Sequence, residues 1–313
     1  MWLNATAGFT EIMYRALRFP ENPLIHAGLA EQIGANINGP SLLRVPDWVS
    51  RPLGRYYLYF AHHQGTFIRM AYAESVHGPW TVYRGGVLRR EDTGCQDHIA
   101  SPDVHAQPSH REIVMYFHGC TGDGQRSFRA VSADGLGFHA AANPLGPSYF
   151  RAFQHDEAWF AIAKSPGPHG GGVLLRSCDG ISGFERGPAI LPRQRHVAVW
   201  KKGDSLRIFY SRGEDCPERI LLSTMNLQGD WQGWRPSEPV EVLRPETAYE
   251  GGKLPARPSR FGSVHEPVCE LRDPAVYEES GRLYLLYTGA GETAICGAEL
   301  REQESSQADL PAA

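Results

Sequence analysis

The sequence predicts an all-β protein, a five-bladed β-propeller, and three observations predict it. One grammar, a short apolar strand, a polar turn, an aromatic-rich strand and a third strand, recurs five times along the chain. The 34 glycines and 23 prolines among 313 residues supply turns at the density that many short strands need. No stretch of the body carries capped apolar residues at helical spacing. Radial repetition of small antiparallel sheets accounts for all three, the first strand of each blade lining a central channel. A β-sandwich leaves the repetition unexplained.

The first unit reads as strands over 40–45, 55–60 and 67–73, closing on Gly78-Pro79-Trp80. The second has strands over 102–105, 112–117 and 127–132, and the third over 149–153, 158–163 and 172–177. The fourth runs through 196–200, 206–210 and 219–223, and the fifth through 273–277, 282–287 and 294–298. These runs are rich in Val, Ile, Leu, Tyr and Phe and are bounded by Gly, Asp, Ser and Pro, as strands are. Residues 1–35 stand outside the grammar as an N-terminal extension, expected to pack across the propeller or to join a second copy in a homo-oligomer. Residues 36–300 form the propeller, and 301–313 a polar, disordered tail. A Pro-, Arg- and Glu-rich insertion at 235–264 is expected to lie over one face and wall a pocket.

Composition excludes several classes of function. A net charge of -4 lacks the basic excess of a nucleic-acid binder. No apolar run is long enough to span a bilayer, so no membrane partner is expected. The first ten residues lack a basic segment followed by an apolar one, so a cytoplasmic location is expected. Cysteines at 95, 120, 178, 216, 269 and 296 form no C-x-x-C pair. They are expected to be reduced thiols rather than a zinc site or a disulfide framework.

The segments "RYYLYFAHHQGTFIRMAYAESVHGPW", "IASPDVH" and "ELRDPAVY…GRLYLLYTGAG" resemble the five-bladed glycoside hydrolases, family 43 and its relatives in families 32 and 68. The resemblance spans roughly residues 36–300. It implies three acids: a base Asp on the first blade, a pKa-modulating Asp on the second and an acid Glu on the third. Asp103 of "SPDVH" matches the modulator. Gly39 stands where the first-blade Asp would be, and the third-blade strand opens without a Glu, Glu157 lying in the following turn. The catalytic set is therefore atypical.

Aligning the blades on their first strands puts Asn38 and Gly39, Ser101 and Asp103, Phe150 and Arg151, His196, and Arg272 and Asp273 at one level. Glycosidic cleavage needs one group to protonate the leaving oxygen and another to activate water or attack. Asp273 is the expected base or nucleophile and Asp103 a second pocket carboxylate. Glu266 and Glu270 of "HEPVCELRDP" are the candidate acids, each with a surface or ion-paired role as its alternative. Asn38, His62, His98, His118, Arg151, His196 and Arg272 are the expected substrate-binding residues. Arg151 and Arg272 motivate an anionic saccharide.

No cofactor is expected. The histidine cluster leaves a divalent metal with Asp103 or Asp273 as an alternative, although no local His spacing supports one. The expected activity is hydrolysis of a small oligosaccharide, an anionic one being an option, through pocket carboxylates in the propeller channel. A metal- or His-assisted lyase or hydrolase on a sugar acid is the second reading. A degenerate propeller kept for sugar binding is the third.

Overall fold

In a computed structural model, which describes residues 12–165 and 170–303, five antiparallel sheets form a five-bladed β-propeller. Blade I comprises Asn38–Arg44, Tyr56–Ala61, Phe67–Ala73 and Thr81–Arg89. Blade II comprises Ile99–Gln107, Glu112–Thr121 and Gly124–Ser132, edged by the short strands His139–Ala140 and Gly146–Pro147. Blade III runs Arg151–His155, Ala158–Lys164, Gly172–Ser177 and Glu185–Ile190. Blade IV runs Gln194–Lys202, Ser205–Arg212, Ile220–Asn226 and Val240–Leu243. Blade V contains Arg272–Glu279, Arg282–Gly289 and Ala294–Gln303.

The fourth strand of blade V comes from the other end of the chain. Met13–Arg18 pairs antiparallel with Ala294–Gln303, Met13 opposite Gln303 and Arg18 opposite Ala298. This corrects two expected boundaries: residues 13–18 belong to the propeller rather than to a separate extension, and 301–303 are strand rather than tail. The physical reason is the unpaired edge that the last three-stranded sheet would otherwise present. Residues 1–11 and 304–313 lie outside the described residues. The insertion at 235–264 also begins inside the fold, since Val240–Leu243 is the outer strand of blade IV.

The core is divided into wedges between neighbouring blades. Tyr57 and Tyr59 pack toward blade II with Met115 and Phe117, while Leu58 and Phe60 of the same strand pack toward blade V with Tyr284 and Leu286. Blades II and III meet through Val114, Tyr116, Ala161 and Ala163, and blades IV and V through Phe209, Leu222, Leu285 and Tyr287. A middle strand buried on both faces needs apolar side chains at successive positions, hence "YYLYF" and not an alternating pattern. Each such side chain contributes roughly 1.5–3 kcal/mol on burial. The six cysteines are free thiols; Cys95, Cys269 and Cys296 are buried. Among the described residues no helix is long and apolar enough to cross a membrane.

One local device positions the channel mouth. Four inner strands carry a bulge at their start, between Asn38 and Ser41, Ala100 and Asp103, Gln194 and Val197, and Arg272 and Ala275. In three of these the bulged pair is X-Pro: Gly39-Pro40, Ser101-Pro102 and Asp273-Pro274. Proline has no N–H to lose from the ladder, so the bulge costs no hydrogen bond there. The residue before it is left-handed, with φ of 59° at Gly39, 49° at Ser101 and 46° at Asp273; Tyr149, ahead of the inner strand of blade III, has φ of 66°. Left-handed non-glycine residues are strained and concentrate at functional sites.

Candidate active site

The bulges bring Asn38, His63, Ala100, Ser101, His118, Tyr149 and His196 around one narrow cleft at the channel mouth, nearly closed in this structure. Behind it stand two buried carboxylates. Asp273 is 1% exposed, and its Oδ1 lies against His196 Nδ1 while its Oδ2 accepts the Gly39 amide at 3.3 Å. Burial alone would raise its pKa, but the His196 imidazole outweighs burial and holds the carboxyl below its ordinary value. His196 in turn is shifted down by burial, which keeps the ring neutral at neutral pH.

The second carboxylate is Glu292, in the hairpin turn before Ala294–Gln303. It accepts from Asn36 Nδ2 at 2.7 Å, Asn38 Nδ2 at 3.3 Å and Arg272 Nη1 at 3.0 Å, and lies 3.3 Å from His63 Nδ1. Burial opposes its ionisation, but the His63 bond and Arg272 hold it well below the usual carboxylate range. Rings connect the two carboxylate–imidazole pairs around the cleft. His63 and His98 are 6.3 Å apart, His98 and His118 5.7 Å, His118 and Tyr149 4.1 Å, and Tyr149 and His196 4.7 Å. His118 is 2% exposed, and burial pushes its pKa well below the usual imidazole value. His98 is shifted down by burial too.

The level assigned to Asp103 and Arg151 is corrected. In the bulge register Ser101, not Asp103, is the blade II equivalent of Asp273. Asp103 lies two residues further along the inner strand, about 7 Å deeper at strand rise. It lines a separate cavity of the channel with Ser41, His105, Arg151 and Ala275. There its Oδ2 takes the Ala152 amide at 2.8 Å and lies 2.9 Å from His105 Nε2. Burial raises the Asp103 carboxyl, and the His105 ring more than reverses that. Arg151 donates from Nη1 to the Ser101 and Phe150 carbonyls, at 3.3 and 3.1 Å.

Arg272 and Glu270 stand behind the cleft rather than in it. Arg272 is fully buried among Glu270, Glu292 and Glu218, with Gly262 O at 3.3 Å. Burial leaves the Glu270 carboxyl raised above its ordinary value. Arg195 lies 3.0 Å from Glu218 and donates to the Gly262 and Arg260 carbonyls, so both arginines pin the long loop before blade V against the mouth. Glu266, on that loop, is exposed. His62 is half-buried in the turn after Tyr56–Ala61, its Nδ1 accepting the Gln64 amide at 3.0 Å. Among the described residues no group of three or more His, Cys, Asp or Glu side chains is arranged to hold a metal ion.

Sequence reasoning missed Glu292, Tyr149 and the primacy of His63 over His62. Glu292 sits in a Gly-rich turn, "TGAGETA", that reads as a surface hairpin. The alignment of Asp273 was recoverable, because matching the prolines of Gly39-Pro40, Ser101-Pro102 and Asp273-Pro274 gives the observed register.

No family model matches the sequence. The uncharacterized protein R118 of Acanthamoeba polyphaga mimivirus is 33% identical over 325 aligned positions, covering 91% of this chain and 90% of that protein. The chain belongs to the R118 family. Solved structures extend the relationship of this R118-family chain at the level of fold. A thermostable family-43 glycoside hydrolase superposes with a TM-score of 0.63 at 13% identity, covering 88% of this chain and 95% of the other. A family-43 β-xylosidase/α-arabinofuranosidase from a compost metagenome gives 0.60 at 13% identity, with 93% and 95% covered. A structure from work on the family-130 mannoside phosphorylases and hydrolases that target β-1,2 mannosidic linkages gives 0.64 at 11% identity, with 95% of each chain covered.

Proposed function

We propose that this protein is a glycosidase of small saccharides, working at the channel mouth through imidazoles backed by carboxylates. The observation that carries the reading is the convergence of two carboxylate–imidazole pairs, Asp273 with His196 and Glu292 with His63, on one cleft. Both carboxylates are held ionised by their neighbours, so neither is a proton donor at neutral pH and proton transfer falls to the rings. With Nδ1 against Asp273, His196 keeps Nε2 free to take a proton from water attacking the anomeric carbon. His63, oriented by Glu292, delivers a proton to the leaving oxygen. Asn38, Ser101 and Tyr149 offer hydroxyl and amide partners for sugar hydroxyls. The fold shared with xylosidases, arabinofuranosidases and mannoside-active enzymes supports a saccharide as the ligand, and a cytoplasmic location would suit a short one.

The test is turnover of a panel of short α- and β-linked oligosaccharides by the wild-type protein, with product analysis by mass. Saturated products with water added support the reading. A second reading, a His-assisted lyase on a sugar acid, is favoured by the replacement of carboxylic acids by imidazoles, and an unsaturated product absorbing in the ultraviolet selects it. Saccharide binding without any product across the panel identifies a binding propeller instead.

A further inference from the structure

The arginines that suggested an anionic ligand, Arg151 and Arg272, are both engaged by the protein itself. A different cation is not. Lys164, the last residue of the second strand of blade III, holds its Nζ 5.4 Å from the centroid of the Tyr149 ring and 5.7 Å from that of Phe261. The Tyr149 ring packs between those of His118 and His196 in the cleft, so the ammonium stands beside the candidate site, against that ring. Among the described residues no carboxylate lies within ion-pair distance of it. The nearby carboxylates are spoken for: Glu218 by Arg195 and Arg272, Asp273 by His196, and Glu292 by Arg272 and His63.

A half-buried ammonium held over aromatic faces without an anion is poorly solvated for its charge. Burial, and then the charge of Arg195, shift its pKa down, the direction expected of a cation lacking an anionic partner. The two flanking rings fix its position and supply cation–π attraction without neutralising its charge.

We propose that Lys164 receives an oxyanion substituent of the substrate, a carboxylate or a phosphate on the sugar, beside the Tyr149 ring. This rests on the cleft being the saccharide site, but not on its being a glycosidase. The substrate class is then an acidic saccharide, and Lys164 sets specificity by position without touching the bond that is cleaved.

The experiment measures binding, so that it stands apart from turnover. Glucuronate, a hexose phosphate and glucose are titrated into the wild-type protein by calorimetry at low and at moderate salt. Glucuronate or the hexose phosphate is expected to bind and glucose to bind at least tenfold more weakly, and whichever acid binds tighter identifies the source of the charge. Lys164→Met is expected to weaken that acid by roughly 10- to 100-fold, the effect of losing a hydrogen bond to a charged group, while leaving glucose unchanged. Lys164→Arg, which keeps the charge, is expected to retain most of the affinity. Circular dichroism melting confirms that both variants fold. Equal binding of acid and neutral sugars, binding of none of the three, or undiminished acid binding by folded Lys164→Met overturns the proposal. Acid binding lost in the variant, with no turnover of any saccharide by the wild type, leaves the proposal standing and removes the glycosidase reading alone.

Discussion

The backbone amide of Gly39 donates to Asp273 Oδ2 at 3.3 Å, so the first blade holds the carboxylate of the last. The contact explains an absence noted in the sequence. An Asp at position 39 is what the resemblance to family 43 leads one to expect. A Cβ built there would lie 2.9 Å from Ser101 Cα, and the residue has φ of 59°. The first-blade position is closed to any side chain, and its amide serves a carboxylate that arrives from the opposite end of the chain.

Replacing Gly39 by Asp should therefore harm the protein rather than restore a family pattern. The strain of a left-handed non-glycine residue, with the Ser101 contact added, predicts a loss of about 1–3 kcal/mol, readable as a lower urea midpoint. Unchanged stability with increased turnover would contradict this account.

Asp273→Asn and Glu292→Gln remove the carboxylates that orient His196 and His63. Each should lower turnover of a saccharide substrate by about 100- to 10,000-fold, the range of a general acid or base step. Asp103→Asn provides the contrast. Its carboxylate serves His105 and the Ala152 amide in a different cavity, so its loss should appear mainly as a lower melting temperature, with turnover kept within about tenfold. Equal catalytic loss in all three variants would reunite Asp103 with the site.

The buried imidazoles set an acid limit. His118 and His196 are both shifted below the ordinary value of 6.5 by burial, so the unfolded chain binds more protons than the folded one once pH falls under that value. Stability should thus be full above about pH 6.5 and decline as pH drops beneath it. Asp273 and Glu292, whose folded pKa values are depressed, add a further loss only when pH falls through the carboxylate range. His118→Asn should flatten the decline near pH 6 in melting temperature against pH. An identical slope would place the proton uptake elsewhere.

Arg272 compensates three buried carboxylates at once, Glu218, Glu270 and Glu292. Arg272→Met should cost about 3–5 kcal/mol by leaving them unpaired. Arg272→Lys should recover only part of this, since a point charge cannot reproduce the fork that meets Glu270 and Glu292 on different nitrogens. Thermal melting of the two variants beside the wild type measures both effects.

The propeller was legible because burial of the middle strands on both faces writes itself as apolar aromatic runs, as in Tyr56–Ala61 and Arg282–Gly289. The fourth strands were harder to read. Glu185–Ile190 and Val240–Leu243 are short, partly exposed edges whose composition is that of a loop. At the site, Asp273 and His196 could be read because the strand start that carries them repeats from blade to blade. Glu292 could not, for its neighbours are Asn36, Asn38 and His63, which reach it only once blade V has come round to blade I. The depth of Asp103 went unseen because a bulge adds a residue without changing the hydrophobic pattern.

Met13–Arg18 is made before any of the five blades and is paired only after the last of them. Until residue 303 has left the ribosome its partner strand is incomplete, whereas blades I to IV can collapse as they emerge. Closing the ring is accordingly the last step in building the propeller, and it is also the step that carries Asp273 and Glu292 to Gly39 and His63. A chain stopped before blade V would hold most of its blades and neither of the two carboxylate–imidazole pairs.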